Sequence, residues 1–237
     1  MVLLCWAQAS AETIRIESPA NQATLVELYT SEGCSSCPPA DRWLSRLKTH
    51  PRLWNDLVPV AFHVDYWNYL GWEDRFAEPD YSQRQRDYAC YGSVRTVYTP
   101  GFVVNGEEWR GWFSRPSLGT ASPRTTGHIV AQIDRGKLQV EFHPEANDTH
   151  PLQLHVALLG FELETPVKRG ENRGRLLKHD FVVLGHAQHP FKLHGSHYQL
   201  KTELPRTSEL APRQALAVWV TRSNDPRPIQ AAGGWLN

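Results

Sequence analysis

Cysteine is scarce in this 237-residue chain, four residues in all, and clustered basic runs and long apolar stretches are missing. Each lack excludes something. Lys and Arg total 25 against 25 Asp and Glu, so the chain carries no electrostatic footprint for nucleic acid. Past the first eleven residues, no stretch approaches the apolar length of a membrane span. Cys5 and Cys90 are isolated, so Cys34-x-x-Cys37 has no second Cys or His pair at short range of the kind that completes an ordinary zinc site.

What the chain does have is an apolar, strand-like run, Leu25-Val26-Glu27-Leu28-Tyr29, that delivers Cys34-Ser35-Ser36-Cys37 to the start of a helix. The recurrence of Trp43, Leu44 and Leu47 predicts that helix over residues 39–48. Pro38 and Pro39 fit the first helical turn, where a missing N–H has no partner to lose, and place the N-cap at Ser35 or Ser36. Cys34 then sits at the positive end of the helix, where unpaired N–H groups stabilise a thiolate and lower the thiol pKa from about 8.5. The spacing suits a reactive dithiol in which Cys34 attacks and Cys37, about one turn on, resolves the mixed disulfide. A zinc half-site and an inert structural disulfide are the alternatives for the same pair. The redox reading carries a condition: sulfurs sealed from solvent, or lying far from Pro100, leave exchange without a physical basis.

The first residues, Met1 to Ala11, read as the tail of a secretory signal, an apolar run followed by Ala7-Gln8-Ala9 and Ala9-Ser10-Ala11, although the basic opening of such signals is missing. The expectation is a start codon upstream and a mature, exported chain, periplasmic in a bacterium, beginning near Ser10 or Glu12. Export leaves Cys90 as an odd thiol, expected to be buried.

Two halves of different texture follow. Strand candidates at residues 25–29 and 58–65 alternate with the helix at 39–48 and a polar-aromatic helical region at 66–91, which is the pattern of an α/β layer. Thr99-Pro100-Gly101-Phe102-Val103-Val104-Asn105-Gly106 then opens a strand into an Asn-Gly hairpin turn. From about residue 128 onward short β runs recur at 137–142, 152–159, 181–184, 197–204 and 215–221, and predict a β-sandwich-like second domain. The Ser-, Pro-, Thr- and Gly-rich stretch 114–127 reads as the linker.

A strand leading into Cys-x-x-Cys at a helix start, with a later Thr-Pro opening a strand, resembles the thioredoxin fold. That resemblance implies an α/β thioredoxin-like domain (22–120) with an inserted helical region, followed by the mostly-β domain (126–237). It also implies a cis Thr99–Pro100 bond facing the dithiol, with Thr99 and Pro100 positioning an extended substrate. More closely, Tyr29 to Asp41, Val64-Asp65-Tyr66-Trp67 with Gly71-Trp72, Val97-Tyr98-Thr99-Pro100 and Arg169-Gly170-Glu171-Asn172-Arg173-Gly174 resemble an exported thioredoxin-like bacterial family catalogued as domain of unknown function 1223. The chain departs from that family's pattern at Gly101, where a Gln is expected.

The functional expectation is an exported thiol-disulfide oxidoreductase acting on protein or small-molecule thiols, with Cys34 and Cys37 as catalytic residues and no cofactor. Glu27, His63 and Asp65 are candidates for proton handling. Two alternatives are a soft-metal, copper-handling envelope protein and a non-catalytic envelope interaction module. His186, His189, His194 and His197 invite a metal reading, but Gly185, Pro190 and Gly195 among them point to a surface loop of solvated histidines, and no metal ligands are assigned. The turn 169–175 lacks the Lys and Ser/Thr of a phosphate loop and reads as a charged turn without chemistry.

Overall fold

The computed structural model describes residues 13–114, 118–145 and 150–236, so the signal-like segment lies outside the described residues. In chain order the strands are β1 (Ile14–Glu17), β2 (Thr24–Thr30), β3 (Leu57–His63), β4 (Gly101–Val104), β5 (Glu107–Glu108), β6 (Gly127–Asp134), β7 (Lys137–Pro144), β8 (Leu152–Phe161), β9 (Leu163–Pro166), β10 (Leu176–His179), β11 (Val182–His194), β12 (His197–Glu203), β13 (Arg213–Arg222) and β14 (Asp225–Trp235). Two α-helices interrupt them, α1 (Pro38–Ser45) and α2 (Pro79–Tyr91), with a short 3-10 helix at Asp65–Leu70.

The expected fold class is corrected by this layout. In place of a thioredoxin-like α/β domain with an inserted helical region and a separate sandwich, twelve of the described strands join in one mixed sheet, and β9–β10 form a small two-stranded ribbon. The expected helical region 66–91 collapses to the 3-10 turn and α2, with irregular chain between them. Strand β11 makes the join: it pairs in parallel with β3 at Val182–Ala61, antiparallel with β8, and antiparallel with β12. Segments from both halves of the chain are therefore hydrogen-bonded edge to edge.

Side-chain alternation explains why they cannot part. Successive residues of a strand face opposite sides of the sheet. Along β8 and β13, Ala157, Leu159, Phe161, Ala215, Ala217 and Trp219 enter the core that also holds Leu25, Leu28, Trp43 and Phe62. Their neighbours Leu154, Val156, Leu216, Val218 and Val220 enter a second core with Ile129, Val140 and Phe142. Two cores share the same strands, and for that reason these segments read as unbroken apolar runs.

The hairpin is as the sequence predicts: Asn105 and Gly106 both take positive φ, +48° and +86°, and the Asn105 Oδ1 accepts the Leu25 N–H at 2.8 Å. The histidine stretch is not a loop. His186, His189 and His194 lie on β11 and His197 on β12, with Gly195 in the turn between them, because β11 keeps its ladder with β8 past Pro190.

His155 and His186 stack on the buried Trp219, with ring centroids 4.9 and 5.3 Å away. Burial, then the Arg84 cation, holds His155 well below the ordinary histidine range and pushes His186 down to about 3. A histidine kept neutral in the fold but free to charge when unfolded costs stability as pH falls below the unfolded value of about 6.5. The melting temperature is therefore expected to drop between about pH 7 and about pH 4, and less steeply in a His186→Phe variant. Calorimetry across that window checks it.

Candidate functional site

Cys34 and Cys37 are joined by a disulfide, with Cα atoms 5.4 Å apart. They sit where β2 runs into α1, and the N-cap of α1 is Cys37 itself, not Ser35 or Ser36. Pro38 and Pro39 follow as the first two helical residues, so two of the N–H groups that a helix start ordinarily offers are missing. The next donor, Ala40 N–H, is taken by Cys37 O at 2.9 Å, and Cys37 N–H by Cys34 O at 3.2 Å. The helix end thus gives a Cys34 thiolate less than the sequence suggests. A hydroxyl is at hand instead: Ser36 Oγ lies 3.4 Å from Cys34 Sγ.

Both cysteines are fully buried, 0% exposed. In this closed form a partner has no route to either sulfur, and the expectation of an open, directly attacking dithiol is corrected. The seal is thin, because Ser35 and Ser36 are themselves exposed. Over the site lies the segment 167–175, which joins β9 to β10. Asn172, completely buried, donates its side-chain amide to Glu32 O and Cys34 O, both at 2.9 Å. Its Oδ1 accepts Arg175 Nη1 at 2.8 Å. The Glu171 carboxylate accepts Ser35 N–H at 3.1 Å, which together with the Ser35 side chain holds its pKa below the ordinary range.

The opposite side is closed by aromatic residues. Trp67 packs its Cβ against Gly33, at 3.0 Å from where a Cβ of residue 33 would stand, so any larger residue there displaces it. Trp67 Nε1 donates to Thr99 Oγ1 at 2.7 Å. Thr99–Pro100 is a cis peptide, and β4 begins directly after it, pairing Gly101 with Tyr29 of β2. Thr99 and Gly33 are thus linked through Trp67, and Pro100 directly precedes the strand that pairs with β2. At Gly101, where the resemblance leads one to expect Gln, the Gln85 amide from α2 occupies the neighbouring space and donates to Tyr98 O at 2.7 Å.

Beneath the disulfide lies a buried group of acids and histidines. Asp41, one turn after Cys37, accepts Thr30 Oγ1 at 2.8 Å; burial raises its pKa despite the nearby histidines. His63 Nδ1 meets Asp74 Oδ2 at 2.7 Å, and Asp74 Oδ2 also accepts Glu32 N–H at 2.8 Å. Burial opposes a charge on His63, but the Asp74 carboxylate outweighs it and raises the pKa. The His63 contribution to stability is complete below the unfolded value and is lost as pH rises through the folded one. Glu32 accepts Trp72 Nε1 at 2.8 Å and lies 3.4 Å from His179 Nε2 on β10. Among the described residues, Glu32 Oε1, His63 Nε2 and both His179 nitrogens have no hydrogen-bond partner.

The other candidates are placed elsewhere or differently. Glu27 binds Arg84 Nε at 2.7 Å, Tyr88 OH at 2.5 Å and Tyr29 OH at 3.0 Å, a buried ion pair between β2 and α2. Asp65 opens the 3-10 turn after β3 and pairs with Ser82 of α2. Cys90, expected to be buried, is exposed on α2. Among the described residues no group of three or more His, Cys, Asp or Glu side chains has metal-holding geometry, and no helix is long and apolar enough to cross a membrane. Sequence reasoning missed Asn172, Glu32, Asp74 and His179. Asn172 stood inside a motif already noted, in a turn to which no chemistry was assigned.

The profile of a family described as Protein of unknown function (DUF1223) matches residues 25–221. The chain belongs to that family. No curated protein matches. Over 91% of this DUF1223 chain and 94% of the other, the fold is similar to a crystal structure of a protein from Agrobacterium tumefaciens, at 23% identity and a TM-score of 0.60. HBP35 of Porphyromonas gingivalis is similar at 14% identity and a TM-score of 0.61, over 92% of this chain and 76% of that one.

Proposed function

We propose that this DUF1223 chain exchanges thiols and disulfides at Cys34–Cys37 from an opened form in which segment 167–175 has left Cys34, and that it does so after export. One observation carries the reading. The cover over Cys34 is fastened by the Asn172 amide and by Glu171 on Ser35 N–H, side-chain contacts with no strand ladder to the site, so lifting it requires less than unfolding the sheet. A partner thiolate then bonds to Cys34 Sγ, the Cys34–Cys37 bond breaks, and Cys37 departs as a thiolate that takes up a proton. A second partner thiol releases the mixed disulfide as the oxidised partner and leaves the protein dithiol. Asp41, one turn after Cys37, supplies a buried acid in electrostatic contact with His63 and Asp74. The small-residue patterns at Ala7 to Ala11 support export, and N-terminal sequencing of the mature protein checks it.

A Cys37→Ala variant cannot resolve the mixed disulfide and is expected to accumulate Cys34-linked adducts that dithiothreitol releases, absent from a Cys34→Ser variant. No adducts in either variant, with a Cys34 thiol titrating like a free one, count against exchange. The full burial of both sulfurs favours a second reading, a structural disulfide in an envelope interaction module. Under it, a Cys34→Ser, Cys37→Ser double variant keeps all behaviour except some stability.

A further inference from the structure

Beside the disulfide a cleft of about 590 Å³ opens between the start of α1 and the start of β10, lined by Ser35, Pro38, Pro39, Arg42, Arg175 and Leu176 among others. Its chemistry is one-sided. Two guanidinium groups line it and no carboxylate does. Arg42 is exposed and makes no hydrogen bond or ion pair among the described residues. Leu176 is 54% exposed, an apolar side chain left in water at the same spot. The Glu171 carboxylate, bonded to the lining residue Ser35, is turned onto its N–H.

We infer that this cleft receives a small thiol or disulfide bearing carboxylates, held by Arg42 and Arg175, with its sulfur presented to Cys34 past Ser35. The inference rests on the exchange reading above and names its substrate class. A guanidinium binds a carboxylate through two parallel N–H donors, which fixes orientation as well as charge. Pro38, Pro39 and Leu176 supply an apolar floor for the ligand's carbon skeleton.

The same binding reaches the cover. Arg175 Nη1 is tied to Asn172 Oδ1, and the Asn172 amide is what holds Cys34 O and Glu32 O. A carboxylate that takes Arg175 competes with Asn172 for that donor and loosens the residue that fastens the segment. Anion capture and exposure of Cys34 are thus linked through one side chain. The reaction balances with the ligand as co-reactant: two ligand thiols give up two electrons and two protons, forming one ligand disulfide, and Cys34–Cys37 takes them up as two thiols.

The test compares glutathione, a thiol peptide with two carboxylates, with the uncharged thiol N-acetylcysteamine, as reductants of the oxidised native chain. Rates are corrected to equal thiolate concentration. The wild type is expected to favour glutathione at least tenfold, with a preference that shrinks as salt rises. Arg42→Gln is expected to lower the glutathione rate about tenfold more than the N-acetylcysteamine rate, and Arg42→Lys to restore part of it. Equal effects on both thiols, or no preference in the wild type, overturn the inference while exchange itself stands. If neither thiol reduces the native chain, exchange fails, and calorimetry with S-methylglutathione, which has no free thiol, still decides the cleft. Binding that is lost in Arg42→Gln supports it, and no binding to the wild type overturns it.

Discussion

Replacing Asn172 with alanine is expected to speed the reduction of Cys34–Cys37 by dithiothreitol about fivefold or more while the far-ultraviolet spectrum stays that of the native chain. The magnitude follows from what Asn172 touches. Cys34 O keeps the Cys37 N–H when the amide is gone, whereas Glu32 O is left in a buried place without its donor. An orphaned buried carbonyl costs about 1–3 kcal/mol, and the cost falls on the closed form alone, because in the open form water reaches that oxygen. Since about 1.4 kcal/mol is a factor of ten in an equilibrium, the open population rises about fivefold at the lower figure and about 150-fold at the upper. Stopped alkylation followed by mass spectrometry reads the rate. A variant that loses stability without any gain in reduction rate contradicts the role given to Asn172.

The largest loss of stability is expected from Glu27→Leu, on the order of 3–5 kcal/mol in urea unfolding. Among the described residues Glu27 is the sole carboxylate bonded to Arg84, which is buried beneath Trp219, Phe62 and Tyr88, and the pair is bidentate at 2.7 and 3.1 Å. Removing the acid strands a guanidinium in the interior together with the Tyr29 hydroxyl that donated to the carboxylate, while Tyr88 OH keeps Pro226 O as its acceptor. Leaving one charge of a buried pair is what makes such a change severe, while replacing both by apolar groups of similar volume is close to neutral. The double variant Glu27→Leu, Arg84→Met is therefore expected to recover most of the loss. A double variant as unstable as the single one shows instead that the packing around Arg84, not its charge, sets the cost.

Local features were legible in the sequence. The disulfide pair, the strand ahead of it, the helix behind two prolines, the Asn-Gly hairpin and most β runs of the second half lie where the residue patterns put them, while β11 runs on through the expected histidine loop to His194. What stayed hidden was how they combine. A run such as Leu152 to Phe161 reads as a buried strand, but nothing in its residues says that one face meets the core beneath α1 and the other face a second core. That is why two domains were expected and one continuous sheet is found. The parallel contact of β11 with β3 involves Ala61 and Val182, ordinary residues far apart in the chain, and leaves no local signal.

The site shows the same limit. Of the four segments singled out as motifs, those of Trp67 with Trp72 and of Asn172 contact Gly33, Glu32 and Cys34 in the first, and Thr99 in the fourth is bonded to Trp67. Their separation in sequence concealed a shared purpose, and the turn 169–175 looked like charge without chemistry because its one buried residue, Asn172, is uncharged. Spacing alone also overstated the helix contribution to a Cys34 thiolate, since two prolines remove the donors that would provide it.

The most direct measurement is the rate at which dithiothreitol reduces the native disulfide as urea is raised from zero to just below the unfolding transition. Opening of one segment exposes little surface, so the rate is predicted to rise only weakly with urea, with a slope a small fraction of that of global unfolding. A rate that climbs with the full slope of unfolding, so that the sulfurs react only in chains that have lost the sheet, contradicts exchange from an opened native form.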